Sequence, residues 1–341
     1  MRNSSIRRSM KTMVVFLITV LTAAVPASVR AEVGEIVLAR QFGLHYLPLV
    51  LMEHFNLIEK QAKAAGLNVK AEWKQFSGGA AANEALIAGG VHFTSGGVGP
   101  LITVWDKTRG NANVRGVAAV SDVPMTVVTR NPKVKRLEDF TAEDRIALPA
   151  VKVSMQAVTL QMAAAKIYGD KNFEKFDALT VAMSHPDAVA ALSSGVAGVT
   201  AHFSAPPYSY SQLRQPALSK VVDSFEIYGG PATLIVLYTR EKFVADNPKV
   251  YSAVLAAMDE AMAMIRADRR KSMEAYIEKT KEKYDDVVLK AFIADTQVSF
   301  QLAPRNTFPA AEFMHRIGRL KNKPETWKDL YFQQIHGLPG S

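Results

Sequence analysis

Residues 75–100 read QFSGGAAANEALIAGGVHFTSGGVGP and set down one small device twice. A short strand-like stretch (Ala71-Glu72-Trp73, then Val91-His92-Phe93) runs into Ser-Gly-Gly, and a helix of small residues follows. The first copy is Ser77-Gly78-Gly79 ahead of residues 80–88; the second is Ser95-Gly96-Gly97 ahead of residues 98–105. Glycine lets a backbone turn sharply and approach a ligand closely. A helix N-terminus adds unpaired N–H groups and a partial positive charge. Two such ends at the carboxyl edge of neighbouring parallel strands predict a polar cradle, at the edge where open α/β sheets bind ligands. One copy alone favours an ordinary βα turn with Ser as N-cap; the repeat favours a binding edge. Neither loop ends in the Lys-Ser/Thr of a phosphate-binding loop, the second lacks the third glycine of a dinucleotide fingerprint, and no G-x-S-x-G elbow occurs. The cradle reads as built for holding rather than reacting.

The chain begins like an exported protein. Arg2, Arg7, Arg8 and Lys11 precede a short apolar run over residues 13–24, and Val29-Arg30-Ala31 is a plausible cleavage motif. The run is well short of the ~20 apolar residues a membrane span needs. Residues 1–31 are therefore expected to be a signal peptide and the protein periplasmic. There is no cysteine, so neither a disulfide framework nor a lipidated cysteine is available. Removing the five basic side chains of the leader from the formal +9 leaves +4, scattered without the basic stripe of a nucleic-acid binder. Roughly 300 remaining residues are large for one core, which predicts two lobes.

In chain order, a strand over residues 35–40 leads to the loop Gln41-Phe42-Gly43-Leu44-His45-Tyr46, and Pro48 opens a helix whose apolar residues recur from Leu47 through His54 and Phe55 to Ile58. His54 falls on that apolar face and reads as a core histidine, whereas His45 and Tyr46 sit where a ligand could be reached. Strand and helix then alternate as far as a strand over residues 114–120, the pattern of a parallel sheet. At Ser121-Asp122-Val123-Pro124 one strand runs through a proline straight into another, which reads as a passage to a second sheet. A second βα-rich stretch follows, including a helix over 154–168 and a strand over 199–203. Gly229-Gly230-Pro231 then precedes the apolar strand TLIVLY at residues 233–238, expected to return to the first sheet. Beyond it, Val254, Leu255, Met258, Ala261, Met262 and Ile265 form a core stripe, residues 278–290 read as a solvated charged stretch, and the aromatic end from Pro324 to Phe332 is expected to dock on the body.

This organisation resembles the type II periplasmic solute-binding proteins of ABC importers, and within them the nitrate/sulfonate/taurine type, a fold also found in pyrimidine-precursor binders. The likeness is carried by Tyr46-Leu47-Pro48-Leu49-Val50-Leu51-Met52-Glu53-His54-Phe55-Asn56-Leu57, the Ser77-Gly78-Gly79 loop, Gly89-Gly90-Val91-His92-Phe93 before Ser95, and Trp327-Lys328-Asp329-Leu330. It departs at Ala150-Val151-Lys152-Val153-Ser154-Met155-Gln156 and at Thr200-Ala201-His202-Phe203-Ser204-Ala205-Pro206-Pro207, where family patterns are replaced, so the ligand of known members does not transfer. The resemblance implies an α/β fold of two lobes joined by a two-strand hinge, with a helical C-terminus packed on lobe one. Lobe one would comprise residues 32–121 and 232–341, and lobe two residues 122–231. It implies capture of a small solute between the lobes and delivery to the transmembrane subunits of an ABC permease, as a monomer without a cofactor.

The expected ligand contacts are Gln41, Phe42, His45, Tyr46, Ser77, Gly78, Gly79, Ser95, Gly96 and Gly97 from lobe one, and Ser154, Gln156, His202 and Phe203 from lobe two. These loops are rich in N–H groups and hydroxyls and poor in carboxylates, with Arg40 and Lys152 as available cations. That favours a small organic anion, such as a sulfonate, nitrate or taurine-like compound, over a neutral pyrimidine-type thiamine precursor, and argues against a cation. An enzyme of the pyrimidine-synthase type on the same fold is the competing class. The seven histidines show no His-x-His or His-Glu-x-x-His spacing, and the leader points outside the cytoplasm, so a binding protein is the expectation.

Overall fold

The computed structural model describes residues 31–195 and 198–341, and residues 32–341 form one compact unit. Residues 1–30, nearly all of the expected signal peptide, lie outside the described residues. The chain builds two five-stranded sheets of one design. In the first, the strand order is β2 (Lys70–Gln75), β1 (Glu35–Arg40), β3 (Phe93–Gly97), β10 (Thr233–Arg240), β4 (Val114–Asp122). In the second it is β7 (Thr180–Ala182), β6 (Ile146–Leu148), β8 (Ala201–Ser204), β5 (Thr126–Thr129), β9 (Ser219–Asp223). β1 pairs in parallel with β2 and β3, and β6 does so with β7 and β8. β10 and β5 each run antiparallel to both neighbours. These are the two strands that the passages between sheets deliver: β5 enters the second sheet after Val123-Pro124-Met125, and β10 returns to the first after Gly229-Gly230-Pro231. Both passages fall where proline and glycine break the pattern in the sequence, and each carries its strand into the sheet it did not come from.

Helices cover both sheets. In the first lobe α1 (Leu47–His54), α2 (Leu57–Ala64), α3 (Gly79–Ile87) and α4 (Val98–Lys107) connect the parallel strands. In the second, α5 (Met155–Tyr168), α6 (His185–Ser194) and α7 (Tyr208–Leu213) do so, and α8 (Ser224–Tyr228) leads from β9 into the return passage. The chain closes with α9 (Glu241–Asp246), α10 (Pro248–Ala267), α11 (Arg269–Thr280), α12 (Asp286–Ala294) and α13 (Thr307–Arg316). On α10 the stripe Val254, Met258, Ala261, Met262 and Ile265 is buried, and the helix packs on α1 and α2. Trp327, Leu330, Tyr331 and Phe332 are buried as expected, each contributing roughly 1.5–3 kcal/mol by removal from water. Tyr331 lies so close to β4 that a Cβ at Gly116 would overlap its ring.

Three local expectations are corrected. The helix expected through Phe55 is interrupted: Asn56 takes a left-handed conformation (φ 50°), which separates α1 from α2 and leaves Phe55 41% exposed. The second Ser-Gly-Gly is not a turn, since all three residues belong to β3 and pair with β10. The stretch over 278–290 is not uniformly solvated: Glu282 is half-buried, accepting a hydrogen bond from Tyr276 (3.1 Å) and one from Tyr284, and burial holds its carboxyl above the usual range.

Candidate functional site

The loops at the carboxyl ends of the parallel strands of both sheets face each other across a cleft. Its walls are Gln41, Phe42, His45, Tyr46, Ser77, Gly79, Gly97, Pro100, Leu234 and Ile235 from the first lobe, and Pro149, Ser154, Met155, Gln156 and His185 from the second. Gly79 is the first residue of α3, Gly97 precedes α4, Ser154 precedes α5 and His185 is the first residue of α6. Four helix N-termini, two from each lobe, therefore converge on one space. Each carries about half a positive charge, so together they supply roughly two charges' worth of field without a cationic side chain. At α3 and α4 no side chain caps the end. At α5 and α6, Ser154 and Ser184 each accept one N–H, from Ala157 and Asp187. The carboxylate of Asp187, in the first turn of α6 and hydrogen-bonded to Ser184, offsets part of that helix's field.

No Asp, Glu, Lys or Arg is among these walls. The polar side chains are held by the scaffold. Gln41 donates to the Ser95 carbonyl at 2.9 Å, and Asn83 ties α3 to α4 by donating to the Pro100 carbonyl at 3.0 Å. His45 crosses between lobes, its Nδ1 3.2 Å from the Pro206 carbonyl. That contact requires an Nδ1–H donor, which leaves Nε2 of the neutral ring as an acceptor. Burial pushes His45 down to about 4 and His202 to about 3, and takes His185 well below the usual imidazole value, so all three are uncharged at neutral pH. His185 stacks on Tyr208 with ring centroids 5.5 Å apart.

The cavity is about 40 Å³, room for only a few atoms where a single water needs roughly 10–15 Å³. The reason is visible at its floor: a Cβ built on Gly97 would lie 2.9 Å from the Met155 Cβ, so the two lobes meet on a bare glycine backbone. Phe42 also lines a wider hollow of about 450 Å³ outside the cleft, together with Arg40, Gln75, Pro186, Tyr208 and a stretch of the C-terminal part that contributes Lys279, Thr280, Glu282, Lys283 and Tyr284.

Of the residues expected to touch a ligand, Gln41, Phe42, His45, Tyr46, Ser77, Gly79, Gly97, Ser154 and Gln156 stand in the cleft walls. Gly78 precedes α3, facing the Pro149 carbonyl of the other lobe. Ser95 is fully buried, donating to the Ala39 carbonyl at 2.7 Å, and Gly96 lies under the Tyr238 hydroxyl; both support the wall from behind. His202 and Phe203 are buried within β8, and His202 reaches the cleft only through His185. Arg40 is paired with Glu53 at 2.9 Å, and Lys152 lies outside the walls. His185, Met155, Pro100, Pro149, Leu234 and Ile235 were not anticipated. The Ser184-His185-Pro186 step after β7 offered a signal, because it occupies in the second sheet the place that Ser77-Gly78-Gly79 holds after β2 in the first.

Among the described residues no group of three or more His, Asp or Glu side chains is placed to hold a metal ion, and no helix is long and apolar enough to cross a membrane.

Solved structures share this architecture. The alkanesulfonate-binding protein SsuA from Xanthomonas axonopodis pv. citri, bound to MOPS, is similar with a TM-score of 0.69 at 18% identity, over 86% of this chain and 96% of that one. The periplasmic aliphatic sulphonate-binding protein SsuA from Escherichia coli gives 0.65 at 18% identity, over 89% and 93%. The periplasmic nitrate-binding protein NrtA from Synechocystis PCC 6803 gives 0.67 at 13% identity, over 87% and 84%. At these identities the likeness establishes the fold, that of the type II periplasmic binding proteins. No curated sequence matches the chain. The sequence pattern of the NMT1-like family spans residues 30–278, well over half the length, and the chain belongs to that family.

Proposed function

We propose that this protein is the solute-binding component of an ABC importer, acting in the periplasm after removal of residues 1–31. It would take a small organic anion of the sulfonate class between its lobes and hand it to a membrane permease. Lobe one would comprise residues 32–121 and 232–341, lobe two 122–231, with the two passages between sheets as the hinge. The observation that carries the reading is the convergence of four helix N-termini on a cleft with no acidic wall. Buried N–H groups and helix ends stabilise an anion, whereas a cation would require carboxylates or an aromatic cage. Phe42, Tyr46, Met155, Leu234 and Ile235 supply apolar surface for the organic part, which nitrate lacks. The structural neighbours named for binding sulfonates and nitrate support the same class.

Native mass spectrometry of freshly purified protein, followed by calorimetric titration with alkanesulfonates, MOPS, taurine, nitrate and an aminopyrimidine, tests it. Sulfonates should bind in the micromolar range or tighter and the aminopyrimidine should not. Binding of the pyrimidine alone, or turnover of any of these compounds, would overturn the reading.

A further inference from the structure

Behind the cleft wall a chain of hydrogen bonds runs into the second lobe. Gln156 Nε2 lies 3.3 Å from His185 Nε2, and His185 Nδ1 lies 2.8 Å from His202 Nε2. At the far end His202 Nδ1 is 3.2 Å from Gln212 Oε1 and 3.1 Å from Gln212 Nε2. His202 and Gln212 are wholly buried, and only the Gln156–His185 end opens on the cleft. The 2.8 Å contact between rings needs one proton: two would collide and none would set lone pair against lone pair. A neutral imidazole carries a single N–H, so both rings must hold the same tautomer.

If both are Nδ1–H, Gln212 accepts and His185 Nε2 takes an N–H from Gln156, turning the Gln156 oxygen to the cleft. If both are Nε2–H, Gln212 donates and His185 presents its Nε2–H at the cleft end, to a ligand or to the Gln156 oxygen, which frees the Gln156 N–H groups. An amide at each end lets the chain close in either sense, and the polarity reverses with no change of net charge.

We propose that this chain sets the polarity of the cleft. His185, with Gln156, is the specificity-determining contact, offering an uncharged N–H to an oxygen of the bound anion. His202 and Gln212 are positioning residues that hold the Nε2–H tautomer without touching the ligand. The inference rests on the anion reading above and names how the site favours an oxygen bearing lone pairs over a group that brings its own proton.

Long-range 1H–15N spectra of the histidine side chains in the purified protein test the coupling before any ligand is added. Between pH 5.5 and 7.5, His185 and His202 should both be neutral and share one tautomer; with saturating MOPS both should be Nε2–H. Opposite tautomers, a charged ring in the wild type, or bound MOPS with His185 left as Nδ1–H would overturn the proposal. Two substitutions separate polarity from packing. His202→Gln keeps an N–H within reach of His185 and should retain most MOPS affinity, while His202→Phe keeps the ring volume and should lose roughly tenfold or more, about the value of one hydrogen bond to an anion. A packing role for His202 gives the reverse order and would overturn it. If no sulfonate binds while the two rings still share a tautomer, the anion reading fails and the coupled chain stands.

Discussion

At Gly97 the absence of a side chain decides whether the lobes can meet. A methyl there would sit 2.9 Å from the Met155 Cβ, closer than real Cβ contacts allow, so even Gly97→Ala should hold the lobes apart. On the sequence alone, Gly97→Asp is expected to be worse than Gly97→Ala, because the carboxylate adds like charge and blocks close approach whereas the methyl mostly crowds; the structure makes both obstructive, through sterics first and charge second. Gly97→Ala should weaken ligand binding roughly tenfold or more by calorimetry, with near-normal melting. Unchanged affinity in Gly97→Ala would show that this contact does not form in the bound state. The buried histidines carry a second residue-scale consequence. His45 near 4, His202 near 3 and His185 well below its usual value are all depressed from about 6.5 in the unfolded chain. Below pH 6.5 the unfolded state binds protons that the native state refuses, so stability is full above that pH and falls as pH drops toward 4. The loss should be on the order of several kcal/mol, in a window above that in which the depressed carboxylates of Asp144 and Asp223 titrate. Urea midpoints at pH 7.5 and 4.5 measure it, and His202→Gln should flatten the slope. Equal midpoints for the wild type would remove the basis for calling these rings neutral.

At the scale of elements, one carboxylate joins the strands that pass between sheets. Asp122, at the end of β4 and wholly buried, accepts from Thr233 at the start of β10 (2.7 Å), from Gln301 (2.7 Å) and from Ser299 (3.2 Å), with Arg305 3.5 Å away. Burial raises its pKa, and these donors oppose that shift. Asp122→Ala leaves three donors and a guanidinium without their acceptor and should cost about 3 kcal/mol in urea unfolding. Asp122→Asn keeps one acceptor and should cost less; two variants as stable as wild type would refute this role. The passage itself was legible in the sequence, because Pro124 interrupts a run of strand formers without a helix in between, and strand β1 was read to its bounds. What stayed hidden depends on partners distant along the chain. Ser95-Gly96-Gly97 reads locally as a turn and becomes strand only because β10 pairs with it. Asn56 breaks a helix whose apolar spacing runs on undisturbed, since a left-handed backbone leaves no mark on periodicity. The lobe-one half of the cleft was legible from its glycines and its loop after β1. Leu234 and Ile235 join that wall because β10 returns late in the chain to pair with β3, and Met155 and His185 meet it because the two sheets face each other.

For the whole molecule, the size of the cavity carries the argument. With about 40 Å³ open between the lobes, a sulfonate with an organic tail cannot enter the closed cleft, so on the proposed reading entry would require the lobes to part and capture would require them to close again around it. The two passages beside Asp122 are the place for that motion, since short extended segments bend with little loss of packing. Closing contacts lie on both flanks of the cleft and come from the C-terminal helices. Arg319, just beyond α13, donates to the Lys152 carbonyl and pairs with Asp177 (3.3 Å) and Glu174 (3.5 Å) of the second lobe. Arg316 pairs with Asp170 at 2.6 Å, and on the opposite flank Tyr210 of α7 donates to Asp295 at 2.5 Å. Arg316 and Asp170 are half exposed and should contribute little. The Arg319 and Asp177 side chains are only 18% and 10% exposed, so this pair is the latch to test. If the closed form is the binding-competent one, apparent affinity scales with its population. Losing roughly 1–2 kcal/mol of latch energy then weakens binding about five- to thirtyfold without a change in the cleft. Arg319→Met should accordingly show a larger radius of gyration than wild type before ligand is added, and the same compact radius once a sulfonate saturates it at higher concentration. Scattering curves that coincide for both proteins, free and saturated, would mean that the lobes do not move and that the ligand enters by another route.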